Sequence, residues 1–381
     1  MMTAVSITLA LALLALALRL TWLELGAASS SEGEAVTAPA ATTTSQCKVR
    51  EDLGCACEVG NYRLLSKLGA GGMGEVFTAQ HTMLRRPTAI KLLRPGVSAD
   101  LDIARFEREA QLTSELTHPN TVRVFDYGRT DDGVYFYAME HLEGADLATV
   151  IDRTGPMDAA RVVRVLTQVA GSLAEAHDRG FVHRDIKPAN LFLQSGYLAD
   201  QAKVLDFGLA REVAPHNPRL SAPDTIAGTP YYMAPEAIAD TSQTNASSDV
   251  YSLGCVAYFM LTGRHVFTGR SPVEVFVRHL NADPAPMRGV PPALEALVLA
   301  CLDKDPSTRP SANELQERAQ LLEAQRWARW SDERAHQWWH SHSPQLAKAL
   351  DTASVPRISA VDRQAITVTR RRVGPARCCA S

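Results

Sequence analysis

The chain has 381 residues, 46% hydrophobic and 21% charged, with a net charge of -3, a globular composition that allows one large domain or two smaller ones with tails. Nucleic-acid binders are usually basic, so this balance excludes a phosphate-tracking surface as the main business of the chain, and no nucleic-acid partner is expected. Seven cysteines form no dense framework; the thiols read as a reduced set, with Cys255 and Cys301 in apolar helical contexts as small buried hydrophobes.

Residues 1–25 open with "MMTAVSITLALALLALALRL", which carries no charge before Arg19. A spanning helix needs about 20 apolar residues, and this stretch reaches that length if Arg19 snorkels. The nearest positive charge follows the apolar run, which places the C-terminal side in the cytoplasm. The segment therefore reads as a single-pass membrane anchor with the rest of the protein cytoplasmic. A cleaved signal peptide lacks its basic n-region here, and a start assigned too far upstream would leave a cytoplasmic protein. Residues 26–61 read as a flexible linker, small, polar and Pro-containing at first. It ends in "CKVREDLGCACEVG", where Cys47, Cys55 and Cys57 match no strong zinc spacing.

From Tyr62 short strand-like runs alternate: "YRLLSKLG", "GEVFTAQH" and "TAIKLL". Between the first two lies "LGAGGMGEV", Leu68 to Val76, with Gly69, Gly71 and Gly74 in G-x-G-x-x-G spacing and Gly72 between them. Such glycines let backbone N–H groups approach a phosphate closely. The loop joins two strands, unlike a dinucleotide fingerprint, and it lacks the lysine of a Walker loop. "TAIKLL" places Lys91 inside an apolar strand, where it either faces solvent or needs a counter-charge. The helix that follows offers Glu109, with Glu107 as a competitor, and turns Ile103, Phe106 and Ala110 to one face. Two more strands, "TVRVFDYG" and "VYFYAMEHL", precede a mainly helical remainder beginning at "DAARVVRVLTQVAGSLAEAHDRG".

"FVHRDIKPANLFL" then inserts His183, Arg184, Asp185, Lys187 and Asn190 between apolar flanks, an expensive placement unless the groups are paired or used. "KVLDFGLA" adds Asp206 at the end of another apolar run. Asn190 and Asp206 are hard oxygen ligands suited to magnesium, which takes one or two carboxylates plus phosphates. Asp185 is then available to an incoming hydroxyl, and Lys187 to charge on a moving phosphoryl group. At "RPSANELQERAQLL" Ser311 and Glu314 form a capping box. That helix is expected to run through "RWARWSDERAHQWWHSHS" until Pro344 stops it. The tail, 323–381, has ten Lys/Arg against five Asp/Glu and four of the five tryptophans. Its aromatic stripe reads as packing on the helical lobe or on a second chain in preference to a membrane surface, with disorder expected after Pro344.

Together the Gly-rich loop, "AIK", "HRDIKPAN", "DFG" and "APE" resemble the protein kinase superfamily, over residues 62–322. "GTPYYMAPE" and "DPSTRP" are most similar to bacterial serine/threonine protein kinases of the eukaryotic type. The resemblance implies an α+β, bilobal fold, a small β-rich N-lobe and a larger α-helical C-lobe, with ATP and Mg2+ in the cleft between them. It implies that Lys91 holds phosphates and pairs with Glu109, and that Asp185 is the catalytic base. Lys187 would touch the γ-phosphate, and Asn190 and Asp206 would hold magnesium. Leu68, Gly69, Gly71, Gly72, Gly74, Val76 and Ala89 would cover the nucleotide; Met139 would be the gatekeeper, Glu140 and Leu142 would line the adenine hinge through backbone groups, and Asp146 would meet the ribose. Glu236 with Arg309, and Asp249 with the catalytic loop, would be structural partners.

Arg184 beside Asp185 implies switching by activation-loop phosphorylation, with Ser221 and Thr225 as candidate sites and Thr229 a structural or substrate-site residue. The implied partners are protein substrates with Ser/Thr hydroxyls and a second copy of the chain for autophosphorylation. A pseudokinase scaffold tethered at the membrane is the alternative, although Lys91, Asp185, Asn190 and Asp206 are all in place. A small-molecule phosphotransferase is disfavoured by the "APE" segment. Departures from the family pattern are "TAIK" for "VAIK" and a lengthened "LQSGYLADQAK". If the anchor is real, the full-length protein stays in the membrane fraction through a carbonate wash, and release into the supernatant rejects it.

Overall fold

The computed structural model describes residues 58–70, 74–93, 100–130, 133–207 and 230–353. The expected anchor, the linker up to residue 57, Cys47, Cys55, Cys57, Gly71, Gly72, Ser221, Thr225, Thr229 and the tail beyond 353 lie outside these residues. No helix among the described residues is long and apolar enough to cross a membrane.

The N-terminal lobe is a six-stranded antiparallel sheet ordered β1-β2-β3-β4-β6-β5. Its strands are β1 (Glu58–Val59), β2 (Tyr62–Ala70), β3 (Gly74–His81), β4 (Pro87–Leu93), β5 (Val124–Arg129) and β6 (Tyr135–Glu140). The sheet starts ahead of Tyr62, because Val59 pairs with Tyr62 and is buried; the last residues read as linker are therefore strand. Strand alternation sorts β4. Ile90 and Leu92 join Phe77, Phe136 and Ala138 on one face, whereas Leu93 joins Phe106, Ala110 and Tyr137 on the other. Lys91 shares the parity of Leu93, so it points toward helix α1 (Asp100–Glu115) and not toward solvent.

A second sheet, β7-β8-β9, is built from Gly144–Asp146, Leu191–Gln194 and Ala202–Val204. The helical lobe forms around α3 (Ala159–Asp178) and α5 (Ala246–Thr262); α5 is apolar nearly all round and buried accordingly, whereas α3 buries its apolar face together with Arg161. Around them lie α2 (Leu147–Thr154), α4 (Pro235–Ala239), α6 (Pro272–Asn281), α7 (Pro292–Cys301) and α8 (Ala312–Glu323). The Ser311–Glu314 capping box forms at the start of α8.

The C-terminal helix differs from the expected continuation. The chain leaves α8 at Glu323, makes a short turn at Arg326–Ala328 and starts a new helix, α9 (Asp332–Ala353), with Pro344 inside it. Pro344 is exposed, so the carbonyl it cannot bond faces water, while Trp339 and Leu346 bury the opposite side. Trp330 and Trp339 are buried against the helical lobe.

The Arg309 guanidinium, fully buried, grips both Glu236 carboxylate oxygens at 2.8 Å each. It also bonds the carbonyls of Ser247, Asp303 and Lys304, and Ser248 donates to Glu236 at 2.6 Å. Every donor is matched, and breaking one side of such a pair leaves a buried charge alone. Arg309→Met is expected to lower the unfolding free energy by about 3 to 5 kcal/mol, and the double substitution with Glu236→Leu by less; urea unfolding of the two variants checks the order.

Candidate active site

Three elements converge on Lys91. Its ammonium donates to Glu109 Oε1 of α1 at 2.9 Å and to Asp206 Oδ1, after β9, at 2.7 Å. Tyr137, in register with Lys91 on β6, donates to the same two oxygens at 2.8 and 3.3 Å. Glu107, the alternative partner, points away and accepts from Tyr127 at 2.9 Å. Burial alone would lower the Lys91 pKa, but Asp206 and Glu109 outweigh it and hold the ammonium above its ordinary value. Burial, with Asp206 close by, pushes Glu109 up to about 7 against the pull of Lys91. Asp206 is held below the usual carboxylate range, since Lys91 overcomes the effect of burial.

The loop carrying Asp185 hangs from the first turn of α5. Asp249 accepts from the His183 and Arg184 N–H groups at 2.7 and 2.8 Å and contacts His177 Nε2 at 2.9 Å. This grip holds Arg184 at φ 67, a left-handed conformation that a non-glycine residue enters only when its surroundings impose it. His183 Nε2 lies 3.0 Å from the Leu205 carbonyl, and its ring packs against Phe207 with centroids 4.8 Å apart. The Asp185 loop and the Asp206 segment are thereby joined.

Within the loop, Asp185 Oδ2 accepts from Lys187 at 2.7 Å and from Asn190 Nδ2 at 3.0 Å. Among the described residues Oδ1 keeps no such donor, and Asp185 lines a cleft with Lys187, Tyr232, Met233 and Thr244. Asn190 Nδ2 also donates to the Asp185 carbonyl at 2.8 Å. Its amide nitrogen is thus consumed, and the amide oxygen is what remains for a cation. Asp206 spends Oδ1 on Lys91 and Tyr137 while its side chain stays 43% exposed. One amide oxygen and one open carboxylate edge fit magnesium, which completes its shell with phosphate and water oxygens.

The remaining expected residues are carried by β2, β3, β4, β6, β7 and the loop before β7. Leu68 is exposed at the end of β2, and Val76 pairs with Lys91. Ala89, buried, pairs with Met139. A Cβ on Gly74 would strike the Leu92 carbonyl oxygen, so this glycine is required by the approach of β3 to β4. A Cβ on Gly69 would meet nothing within 4 Å among the described residues. Glu140 is engaged at its side chain, accepting from Lys203 at 2.7 Å and from the Arg123 N–H at 2.8 Å. Leu142 follows it in the loop before β7. Asp146 caps α2, accepting from the Thr149 N–H at 2.9 Å and hydroxyl at 2.6 Å. Sequence reasoning missed Tyr137 and Lys203; the parity that Tyr137 shares with Met139 on an alternating strand was the available signal for the first.

The protein kinase domain description matches residues 62–320 of the chain. The chain belongs to the protein kinase family. Its relatives are bacterial serine/threonine kinases of the eukaryotic type. Serine/threonine-protein kinase pkn3 of Myxococcus xanthus is 38% identical over 263 residues, 66% of this chain and 48% of the relative. For pkn2 of the same organism the figures are 40% over 265 residues, 67% and 32%. PknB of Mycobacterium tuberculosis is 38% identical over 256 residues, 65% of this chain and 40% of the relative. The kinase thus spans less than half the length of these curated relatives.

The Glu109 shift has opposite signs for stability and for pairing. Because the folded carboxyl is raised from 4.5 to about 7, its contribution to folding is full below the ordinary value and is lost as pH rises to about 7. The complete Lys91–Glu109 ion pair, in contrast, exists only above that pH. The kcat/KM for ATP is expected to fall as pH drops through about 7, and Glu109→Gln to be weaker throughout but without this limb; pH profiles of kcat/KM for both proteins decide it.

Proposed function

We propose that this kinase transfers the γ-phosphoryl group of MgATP to serine and threonine hydroxyls of proteins, its own chain included. The observation that carries this reading is the Asp185 carboxylate. Lys187 and Asn190 hold one of its oxygens, and Asp185 lines a cleft together with Tyr232 and Met233. When bound, MgATP supplies the transferable group together with a divalent charge that offsets its oxygens. Lys91 holds the α- and β-phosphates, steadied by Glu109. Asn190 and Asp206 hold the metal. Asp185 orients the incoming hydroxyl and accepts its proton, and Lys187 lies where charge builds on the moving group. The catalytic work is positioning and electrostatics, and every group named is tied down by hydrogen bonds before substrate arrives.

Serine/threonine specificity is supported by Lys187 in "HRDIKPAN" and by the printed names of the relatives. The apolar segment 1–25 supports a single-pass tether with the kinase domain in the cytoplasm, and Arg184 supports a switch at Ser221 or Thr225. Pairing of two chains at the membrane would favour phosphorylation of one by the other.

The test is intact-mass measurement of the protein incubated with MgATP, beside Asp185→Asn. Phosphate is expected to accumulate on the unsubstituted protein and to slow about 10² to 10⁴-fold in the variant. If neither gains phosphate while both still bind ATP, the chain is a nucleotide-binding scaffold.

A further inference from the structure

The segment beyond the family match docks on the helical lobe through a buried charge pair. The side chains of Arg161 on α3 and Asp200, in the loop between β8 and β9, are 1% and 0% exposed. Arg161 donates to the two Asp200 carboxylate oxygens at 2.8 and 2.6 Å. Trp330 and Trp339 each add an indole N–H, at 2.7 and 2.8 Å. The Trp338 ring covers the guanidinium, 3.6 Å from its centroid. Half of the donors on this carboxylate therefore come from residues that the kinase domain description does not include. A buried carboxylate that loses them is left short of partners, which is costly.

What the segment grips matters more than the grip. Asp200, held at φ 62, lies at the far end of the β8–β9 hairpin. The near end carries Asn190 and Asp206, closed by a Leu205 N–H to Asn190 carbonyl bond of 2.9 Å. The segment also packs on α2, the helix that Asp146 caps. Arg334 reaches Asp158 at 3.1 Å, just past the end of α2.

We propose that residues 326–346 brace the nucleotide site. By fixing the β8–β9 hairpin and α2 they position Asn190, Asp206 and Asp146, so that tail docking and nucleotide binding favour one another. The proposal rests on the kinase reading, because it takes the cleft to hold a nucleotide. Coupling of this kind is reciprocal, and any partner that lifts Trp330 and Trp339 off Asp200 would weaken nucleotide binding by the same factor that nucleotide weakens its hold.

The test uses the full chain carrying Trp330→Phe and Trp339→Phe, which keep an aromatic six-membered ring at each buried position and remove the two indole N–H donors together with the five-membered rings that carry them. Trp327→Phe is the control, since Trp327 is partly exposed and bonds only Gln325. MgADP affinity is measured by calorimetry, and amide hydrogen exchange is followed without nucleotide in the hairpin (191–206), in α2 and through the rest of the helical lobe. The double variant is expected to bind MgADP about fivefold or more weakly, with faster exchange confined to the hairpin and α2, while the control matches the unsubstituted protein. Unchanged affinity, or exchange that rises evenly through the whole helical lobe, overturns the brace. If the unsubstituted protein binds no MgADP, the kinase reading and the coupling both fall, and hairpin exchange still reports whether the tail holds the hairpin.

Discussion

One buried ammonium organises this protein. Lys91 lies on the inner face of a sheet, where a lone positive charge is prohibitively expensive, and it is tolerated because Glu109 and Asp206 both reach it. Those carboxylates belong to α1 and to the segment after β9, so satisfying the charge fixes sheet, helix and the Asp206 segment relative to one another. Tyr137 completes the arrangement by donating to both carboxylates. The arrangement that satisfies Lys91 occupies only one oxygen of Asp206, and leaves the other edge of that carboxylate as the position suited to a cation.

The same logic recurs wherever the helical lobe buries charge. Asp249 takes the backbone of the Asp185 loop, Glu236 takes Arg309, and Asp200 takes Arg161 together with two indoles. Each is fully hydrogen-bonded, which is the condition under which buried ion pairs stop being a liability. Their contribution is to geometry more than to net stability. The first fixes the loop that carries Asp185, the second ties α4 to the loop preceding α8, and the third joins the C-terminal segment to the hairpin between Asn190 and Asp206. Backbone strain collects at the same places, with Arg184, Asp200 and Asp206 all at positive φ. Left-handed backbone at non-glycine residues persists only where neighbours impose it, and here those neighbours are these hydrogen-bonded clusters.

Much of this was legible in the sequence, because local spacing carries local chemistry. The order of the Gly-rich loop, Lys91, Asp185, Asn190 and Asp206 determined the family, the bilobal fold and the residues that gather at the cleft. Strand alternation determined that Lys91 faces away from Ile90 and Leu92, and the Ser311–Glu314 box determined where α8 begins. Packing alone decided the rest. Glu107 and Glu109 differ by about 200° around a helix, and only the docking of α1 on the sheet selects between them. Tyr137 and Asp206 are 69 residues apart, and Trp339 and Asp200 are 139 apart; no periodicity links such pairs. The interruption after Glu323 and the continuation through Pro344 follow from where Trp330, Trp339 and Leu346 find cover, and that cover exists only once α2, α3 and the hairpin have come together.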